Sequence, residues 1–448
     1  MEKNIFKKCL VPFIVLLLVG SNFISVSANH DSENKVKLNL TDEHRNEIKN
    51  IFFDLKISLF MKLARFPSIS ACIINDNQVI WSKGYGYYDL KNKKEATSDT
   101  IYIIASITKT IVGTALMQLW EQELFDLDED VNNYLPFSLR NPNFPDEPIT
   151  FRMLLSHTSS LNVNKRNEYY WINNSEDPPF DFFPMPYLEE FLIPGGKYYH
   201  EDIWSNTHKP GERARYANVG FDIISYLVEI ISGEPFLLYC QHQIFDPLEM
   251  YNTSFNLSTL NIDNVALPYY TYLGKYYQIN ELTFIYGDDT PPYPYWKMRA
   301  YPAGGLYTSI DDLSHFLIAH MNDGIYEDTR ILEKETVDLM HTIQPNNELG
   351  YGFAWMEYPI SEKYSATGHG GDIVGVDTWM LFIPSEEIGV IYFANGNPAY
   401  GLLTSDIGFI IVQFLLYSLF RKGGLPSRSF LKTIYNPRSS FLNIDTIE

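Results

Sequence analysis

The sequence has little cysteine and little positive charge. Of its 448 residues only three are cysteines, and Cys72 and Cys240 lie among apolar residues. This predicts buried thiols and excludes a disulfide framework or a cysteine-based metal site. Lysine and arginine number 34 against 55 aspartates and glutamates, so the formal net charge is −21. A chain this acidic lacks the electrostatic footprint of a protein that binds nucleic acid or an anionic membrane.

Apolar runs long enough to span a bilayer are missing as well. Leu10–Gly20 and Ile407–Phe420 hold eleven and fourteen residues, fewer than the roughly 20 that a membrane helix needs. The second run predicts a buried terminal helix. Hydrophobic residues make up 45% of the chain and charged residues 20%, which is typical of a globular protein with one large domain or two interlocked ones.

The N-terminus has the pattern of an export signal. Three lysines within the first eight residues precede the apolar run Leu10–Gly20, and Val26-Ser27-Ala28 supplies small residues for cleavage. We therefore expect residues 1–28 to be a signal peptide and the protein to be secreted or otherwise extracytoplasmic. An uncleaved signal anchor is the alternative. Residues 29–40 are polar and predict a disordered leader.

Residues 41–448 predict one mixed α/β domain in which β-rich ends enclose a helical middle. Strands are predicted for five β-rich runs: Ile69–Ile74, Val79–Tyr85, Gly350–Met356, Thr378–Ile383 and Gly389–Ala394. Helical patterns dominate between the second and third of these runs. The α/β part is therefore expected to be discontinuous, with residues 41–110 and 300–420 on either side of a mainly helical part, residues 111–299.

Two aromatic segments give no regular pattern. Asn162–Tyr199 predicts a long loop, and loops of this size in compact proteins usually line sites or are disordered. Tyr269–Tyr301 is dense in tyrosine, proline and tryptophan. It fits irregular packing and an aromatic wall for a substrate equally well.

Ser106-Ile107-Thr108-Lys109 is the stretch with the clearest chemical potential. A β-branched run leads into Ser106, and an apolar helical pattern follows Lys109. A hydroxyl with an amine one helical turn away is a candidate activated nucleophile. Serine is also an ordinary helix N-cap, and Ser32 and Ser429 have a lysine at the same spacing. The motif therefore needs partners elsewhere in the chain.

Two further short motifs supply such partners. Of 32 tyrosines only Tyr216 has an asparagine, Asn218, two positions later, and of ten histidines only His369 is followed at that distance by glycine. Singly, they would be explained as a core tyrosine and a turn residue. In the order Ser-x-x-Lys, Tyr-x-Asn, His-x-Gly, they resemble the serine β-lactamase-like family, especially its class C branch with related esterases and D-amino-acid peptidases.

The resemblance extends over roughly Thr41–Asn395, because several flanking segments fit the same family. These segments are Ile149–Leu161, Pro210–Gly220, Pro302–Leu306 and Gly368–Gly371 with the following Gly375. The resemblance implies a β-lactamase/transpeptidase-like α/β (α+β) fold. In that fold an antiparallel sheet is flanked by helices, and a mainly helical region is inserted.

The resemblance also assigns roles to the motif residues. Ser106 would attack a carbonyl and form an acyl-enzyme, while either Lys109 or Tyr216 takes its proton; the residues leave this choice open. Asn218 would orient Lys109 and the substrate amide. His369 would position Tyr216 or the substrate, and we expect it to titrate near neutrality.

An oxyanion would be stabilised by the backbone N–H groups of Ser106 and Asp372, and Gly370 and Gly371 would let the substrate approach closely. No metal or cofactor is expected. Many relatives carry lysine at the position of His369, and its replacement favours the esterase and peptidase relatives.

The prediction is an exported serine hydrolase that acts on an ester or amide: a β-lactam, a D-amino-acid peptide or a carboxylic ester. The alternatives are a non-catalytic binding or scaffold protein and a penicillin-binding sensor. The expected partner is a small-molecule or peptide substrate, with no nucleic acid and no membrane beyond a signal anchor. The oligomeric state stays open.

Overall fold

The computed structural model of the protein describes residues 54–398, except for 56, 63, 163–184, 273–274, 283–293, 299 and 362. The predicted signal peptide, leader and terminal helix Ile407–Phe420 lie outside these residues. One compact unit holds the described residues of 60–358 and 365–398. A second unit includes the described part of 54–59 and the short segment Pro359–Tyr364, where the Ile360 N–H donates to the Tyr364 carbonyl at 2.9 Å.

Strands and helices are interspersed along the described chain. The strands are β1 (Ser68–Asn75), β2 (Gln78–Asp89), β3 (Lys94–Glu95), β4 (Tyr102–Ile103), β5 (Tyr269–Tyr272), β6 (Lys275–Gln278), β7 (Tyr307–Thr308), β8 (Ile325–Tyr326), β9 (Thr329–Arg330), β10 (Met356–Pro359), β11 (Ser365–Ile373), β12 (Val376–Ile383), β13 (Ile388–Ala394) and β14 (Gly396–Pro398). The helices are α1 (Thr108–Glu121), α2 (Phe151–Leu155), α3 (Met185–Leu192), α4 (Val219–Ser232), α5 (Phe236–Cys240), α6 (Tyr301–Gly304), α7 (Ile310–Met321) and α8 (Lys334–His341).

The main sheet is built from both ends of the described chain. Its strand order is β10-β11-β12-β13-β1-β2-β3, and all neighbours from β11 to β3 pair antiparallel. The centre lies where Ile69 of β1 pairs with Ala394 of β13. Every residue of β13 is buried, because its apolar run is covered on both faces. The predicted fold class is confirmed, and the first two predicted strands, Ile69–Ile74 and Val79–Tyr85, lie in β1 and β2, which form an antiparallel hairpin.

Near the C-terminal end of this sheet one strand prediction was wrong and one strand was missed. Gly350–Met356 is not a strand; only an isolated bridge links Tyr351 to Met356, where β10 begins. Strand β11 was missed because its glycines have low strand propensity. Close packing explains why glycines stand in this strand. A Cβ atom at Gly368 would lie 2.0 Å from the carbonyl oxygen of Met380 on β12.

The two segments without a regular pattern also contain secondary structure. Helix α3 lies within Asn162–Tyr199, so that segment is not one continuous loop. Strands β5 and β6 form an antiparallel hairpin inside Tyr269–Tyr301, and β14 pairs with β5 in parallel. Trp296 is buried and its indole N–H donates to the Val374 carbonyl at 2.9 Å. This tryptophan contributes to packing and not to an exposed aromatic wall.

Helix α1 is the central helix of the fold. Every residue from Thr108 to Leu119 is buried, and α1 packs against α4 and α6. A helix that is apolar on nearly all sides requires such complete cover. Within the described ranges no single helix is long and apolar enough to cross a membrane, although α4 and Phe236–Phe245 together, across an 83° bend, reach that length and composition.

Strand β11 passes directly beside the turn that precedes α1. A Cβ atom at Gly371 would lie 2.3 Å from the carbonyl oxygen of Ile104 and 3.1 Å from the Cβ of Ala105. The Thr378 hydroxyl of β12 donates to the same Ile104 carbonyl at 2.9 Å. The missing side chain at Gly371 therefore allows the strand and the turn to touch.

We predict that Gly371→Ala lowers the free energy of unfolding by about 1–3 kcal/mol, because the added methyl group overlaps backbone atoms that cannot rotate away. Urea unfolding measures this change. Gly220→Ala on α4 is the control, because its Cβ would come no closer than 3.8 Å to another residue. Equal stability of the Gly371 variant and the wild type would contradict the packing explanation.

Candidate active site

Ser106 lies in a tight turn between β4 and α1. Residues Ala105–Ile107 form a single 3₁₀ turn, and α1 begins at Thr108. Ala105 is buried and has a φ angle of 47°, in a region that residues other than glycine occupy rarely. Ser106 itself is half-buried. The predicted passage from an extended segment through Ser106 into a helix is confirmed.

Lys109 lies one turn further along α1 and is completely buried. Its Nζ is 3.1 Å from Ser106 Oγ and also donates to the Ala303 carbonyl of α6. The same Nζ lies 4.9 Å from the centre of the Tyr216 ring. Burial lowers the pKa of Lys109 to about 7, against the opposing charge of Asp222. Near neutral pH a large fraction of Lys109 is therefore a neutral amine that can accept a proton.

Tyr216 reaches Ser106 from the segment before α4. Its hydroxyl is 2.8 Å from Ser106 Oγ. Ser106 Oγ therefore has two partners at hydrogen-bonding distance, Lys109 and Tyr216. The structure brings together three predicted residues that are up to 110 positions apart in the chain. Both candidate bases are placed to take the serine proton.

His369 is linked to Tyr216 through a residue that the sequence did not indicate, Tyr351. His369 Nε2 lies 2.8 Å from the Tyr351 hydroxyl, and its Nδ1 lies 2.6 Å from the Gly370 carbonyl. Nδ1 must therefore carry the proton and donate to that carbonyl. The Tyr351 side chain also hydrogen-bonds Tyr216. His369 can thus position Tyr216, but indirectly.

The expectation that His369 titrates near neutrality is wrong. Burial, with the charge of Lys109 acting in the same direction, lowers the pKa of His369 to about 3. The residue pattern did not reveal this burial. Burial also raises the pKa of Tyr351 well above its usual value, so both groups are neutral over the ordinary pH range.

Asn218 does not hold Lys109 in the expected way. It immediately precedes α4, and its Oδ1 is buried without any hydrogen-bond partner among the described residues. Lys109 is instead held by the Ala303 carbonyl. No motif marks a backbone carbonyl, although Ala303 lies in the Pro302–Leu306 segment that fits the family.

Gly370, Gly371 and Asp372 lie in β11 beside the serine turn. A Cβ atom at Gly370 would lie 3.0 Å from the Trp379 ring, and one at Gly371 would overlap Ile104. Protein atoms therefore require glycine at position 371 and leave little room for a side chain at position 370, whatever space a substrate needs. Asp372 is exposed and follows Gly371 directly. Its N–H remains a predicted oxyanion donor beside that of Ser106.

This arrangement can perform nucleophilic catalysis. It holds a serine hydroxyl, two proton acceptors and a neutral tyrosine–histidine pair that fixes one of them. Among the described residues, no group of three or more histidine, cysteine, aspartate or glutamate side chains is arranged to bind a metal ion.

The sequence matches a known protein family over most of its length. Residues 53–411 match the sequence profile of the family described as Beta-lactamase. Protein flp of Staphylococcus aureus (strain N315) is 24% identical over 361 residues, which are 81% of this chain and 65% of that protein. The chain therefore spans only 65% of the length of this relative.

Two solved structures show the same fold. The octameric penicillin-binding protein homologue from Pyrococcus abyssi matches with a TM-score of 0.65 and 25% identity, over 87% of this chain and 80% of its own. The D-amino acid amidase from Ochrobactrum anthropi SV3 matches with a TM-score of 0.64 and 20% identity, over 84% of this chain and 98% of its own. The resemblance that the three motifs indicated is thereby confirmed. Because the family profile covers most of its length and the fold agrees, the chain belongs to the beta-lactamase family.

Proposed function

We propose that the protein is an exported serine hydrolase that acts through an acyl-enzyme on Ser106. The observation that supports this is the placement of Lys109 Nζ and the Tyr216 hydroxyl at 3.1 and 2.8 Å from Ser106 Oγ. A serine hydroxyl is a weak nucleophile until a base takes its proton. Two groups lie where a base is needed.

The proposed reaction has two steps. In the first, the proton of Ser106 passes to Lys109 or Tyr216, Oγ bonds to the carbonyl carbon, and the bond to the leaving alcohol or amine breaks as that group takes up a proton. In the second, water attacks the acyl ester, releases the acid and returns the proton to Ser106. The N–H groups of Ser106 and Asp372 would stabilise the oxyanion in both steps.

The substrate would be a carboxylic ester, a D-amino-acid peptide or amide, or a β-lactam. The fold shared with a D-amino acid amidase supports the amide class. His369, where many relatives carry lysine, supports esters and peptides over dedicated β-lactam hydrolysis. The competing function is a penicillin-binding sensor, which would form the acyl-enzyme but fail to hydrolyse it.

Export rests on residues 1–28 alone, which lie outside the described residues. Lysines, an apolar run and Val26-Ser27-Ala28 follow one another in the order of a signal peptide. We propose that the catalytic chain begins at Asn29 after cleavage.

Ser106→Ala is predicted to abolish both acyl-enzyme formation and turnover, because no other group in the site carries the acyl bond. Intact-mass spectrometry after incubation with a β-lactam or a p-nitrophenyl ester measures the adduct. Ser429→Ala is the matched control, since Ser429 and Lys432 share the Ser-x-x-Lys spacing. Unchanged turnover in the Ser106 variant would refute the site, and an adduct that never hydrolyses would favour the sensor.

The kcat/KM for an ester is predicted to rise with pH through about 7. The lowered pKa of Lys109, about 7, means that the neutral amine forms above this pH and can act as a base. Lys109→Met should remove the rise and reduce kcat/KM by roughly 10²–10⁴-fold. His369→Asn should keep the rise, because the pKa of His369 is about 3. A profile that is flat from pH 5 to 9 in the wild type would exclude Lys109 as the base.

Expression of the full chain in a secreting bacterial host is predicted to give mature protein that begins at Asn29. N-terminal sequencing of the protein outside the cytoplasm measures this directly. Replacement of Lys7 and Lys8 by glutamate should reduce export, because it reverses the charge of the basic region. Protein retained in the membrane with its first residues intact would instead show an uncleaved anchor.

A further inference from the structure

We propose that His157 is a positioning residue for Tyr216: its imidazole and backbone fix both chain neighbours of Tyr216 and so aim the Tyr216 hydroxyl at Ser106. The proposal rests on the proposed acyl-transfer function, in which the Tyr216 hydroxyl must stay within hydrogen-bonding distance of Ser106 Oγ. His157 itself does not touch the reacting atoms.

Two hydrogen bonds to His157, one to its carbonyl and one to its imidazole, lie on either side of Tyr216 in the chain. The N–H of Arg215 donates to the His157 carbonyl at 2.7 Å. The N–H of Ala217 donates to His157 Nδ1 at 3.2 Å. One residue thus holds the chain immediately before and immediately after Tyr216, which restricts the direction of that side chain.

The imidazole ring also packs against the side chains that carry the site. Its centre lies 4.5 Å from that of the Tyr216 ring, 4.7 Å from Tyr351 and 5.2 Å from Phe221. Tyr351 is the residue that joins Tyr216 to His369. His157 therefore packs against both Tyr351 and Tyr216, and Tyr216 in turn contacts Ser106.

The hydrogen bond from Ala217 defines the protonation state of His157. Because Nδ1 accepts, the ring proton must lie on Nε2, and a second proton would face the N–H of Ala217. Burial, with the charge of Lys109 acting in the same direction, lowers the pKa of His157 well below its usual value. The ring therefore stays neutral and keeps its acceptor.

Stability alone does not explain a histidine at this position. Its Nε2 is buried without a hydrogen-bond partner among the described residues, and an unpaired buried polar group lowers stability. Its φ angle of 59° lies in the left-handed region, which residues other than glycine occupy rarely, although histidine does so more often than most. The acceptor at Nδ1 is the feature that an apolar residue could not supply.

The test compares His157→Asn with His157→Phe. Asparagine tolerates a positive φ angle and offers Oδ1 near the position of Nδ1, whereas phenylalanine keeps a ring but has no acceptor. We expect the acylation rate to fall about 10- to 100-fold in the Phe variant with KM little changed. The Asn variant should recover most of that rate. Thermal melting of each variant measures its stability alongside.

Wild-type acylation rates in both variants would overturn the proposal. Equal losses of rate in both variants, in proportion to lost stability, would also overturn it and indicate a purely structural histidine. A wild type that no acyl donor modifies would count against the proposed function instead.

Crystal structures of the two variants decide the positioning role without reference to activity. The distance from the Tyr216 hydroxyl to Ser106 Oγ should stay near 2.8 Å in the Asn variant. In the Phe variant it should exceed about 3.5 Å, beyond hydrogen-bonding range. An unchanged distance in the Phe variant would overturn the proposal.

Discussion

The burial of one amine, Lys109 Nζ, is the constraint on which the site depends. In water lysine is protonated and could accept nothing from Ser106. Removal from water disfavours the charge and lowers the pKa to about 7. This requires that α1 be central, that α6 close over it with the Ala303 carbonyl, and that no carboxylate lie against the amine. Within the described chain Lys109 forms no ion pair, and Asp222 is the charge that opposes the shift.

Burial also sets the charge of the two histidines near Lys109. His157 and His369 are both buried, and burial lowers the pKa of each, so both are neutral. A second cation would be repelled by protonated Lys109, and neutral rings avoid that repulsion while still accepting hydrogen bonds. The Tyr351 hydroxyl, for example, donates to the neutral Nε2 of His369. Hydrogen bonds between neutral groups thus orient the side chains of the site. The pKa of Lys109 is therefore set mainly by its own burial.

Local patterns predicted the parts of this fold that depend on local physics. The hairpin of β1 and β2 follows from β-rich runs around a polar turn, and the Ser106 turn from a β-branched run that meets a helical pattern. Strand β11 was missed because its glycines are dictated by Met380 and Ile104, which are distant in sequence. The titration of His369 was wrongly predicted for the same reason: its burial is a tertiary property.

The departures from ordinary folding rules bear on whether this chain is catalytic. Ala105 and His157 are buried with positive φ angles, Lys109 is buried without an ion pair, and Asn218 Oδ1 has no hydrogen-bond partner in the described ranges. Each departure costs stability, and an apolar core in their place would be more stable. They lie beside Ser106 and Tyr216, and the proposed acyl transfer would need an amine shielded from water and a tyrosine held in place at these positions.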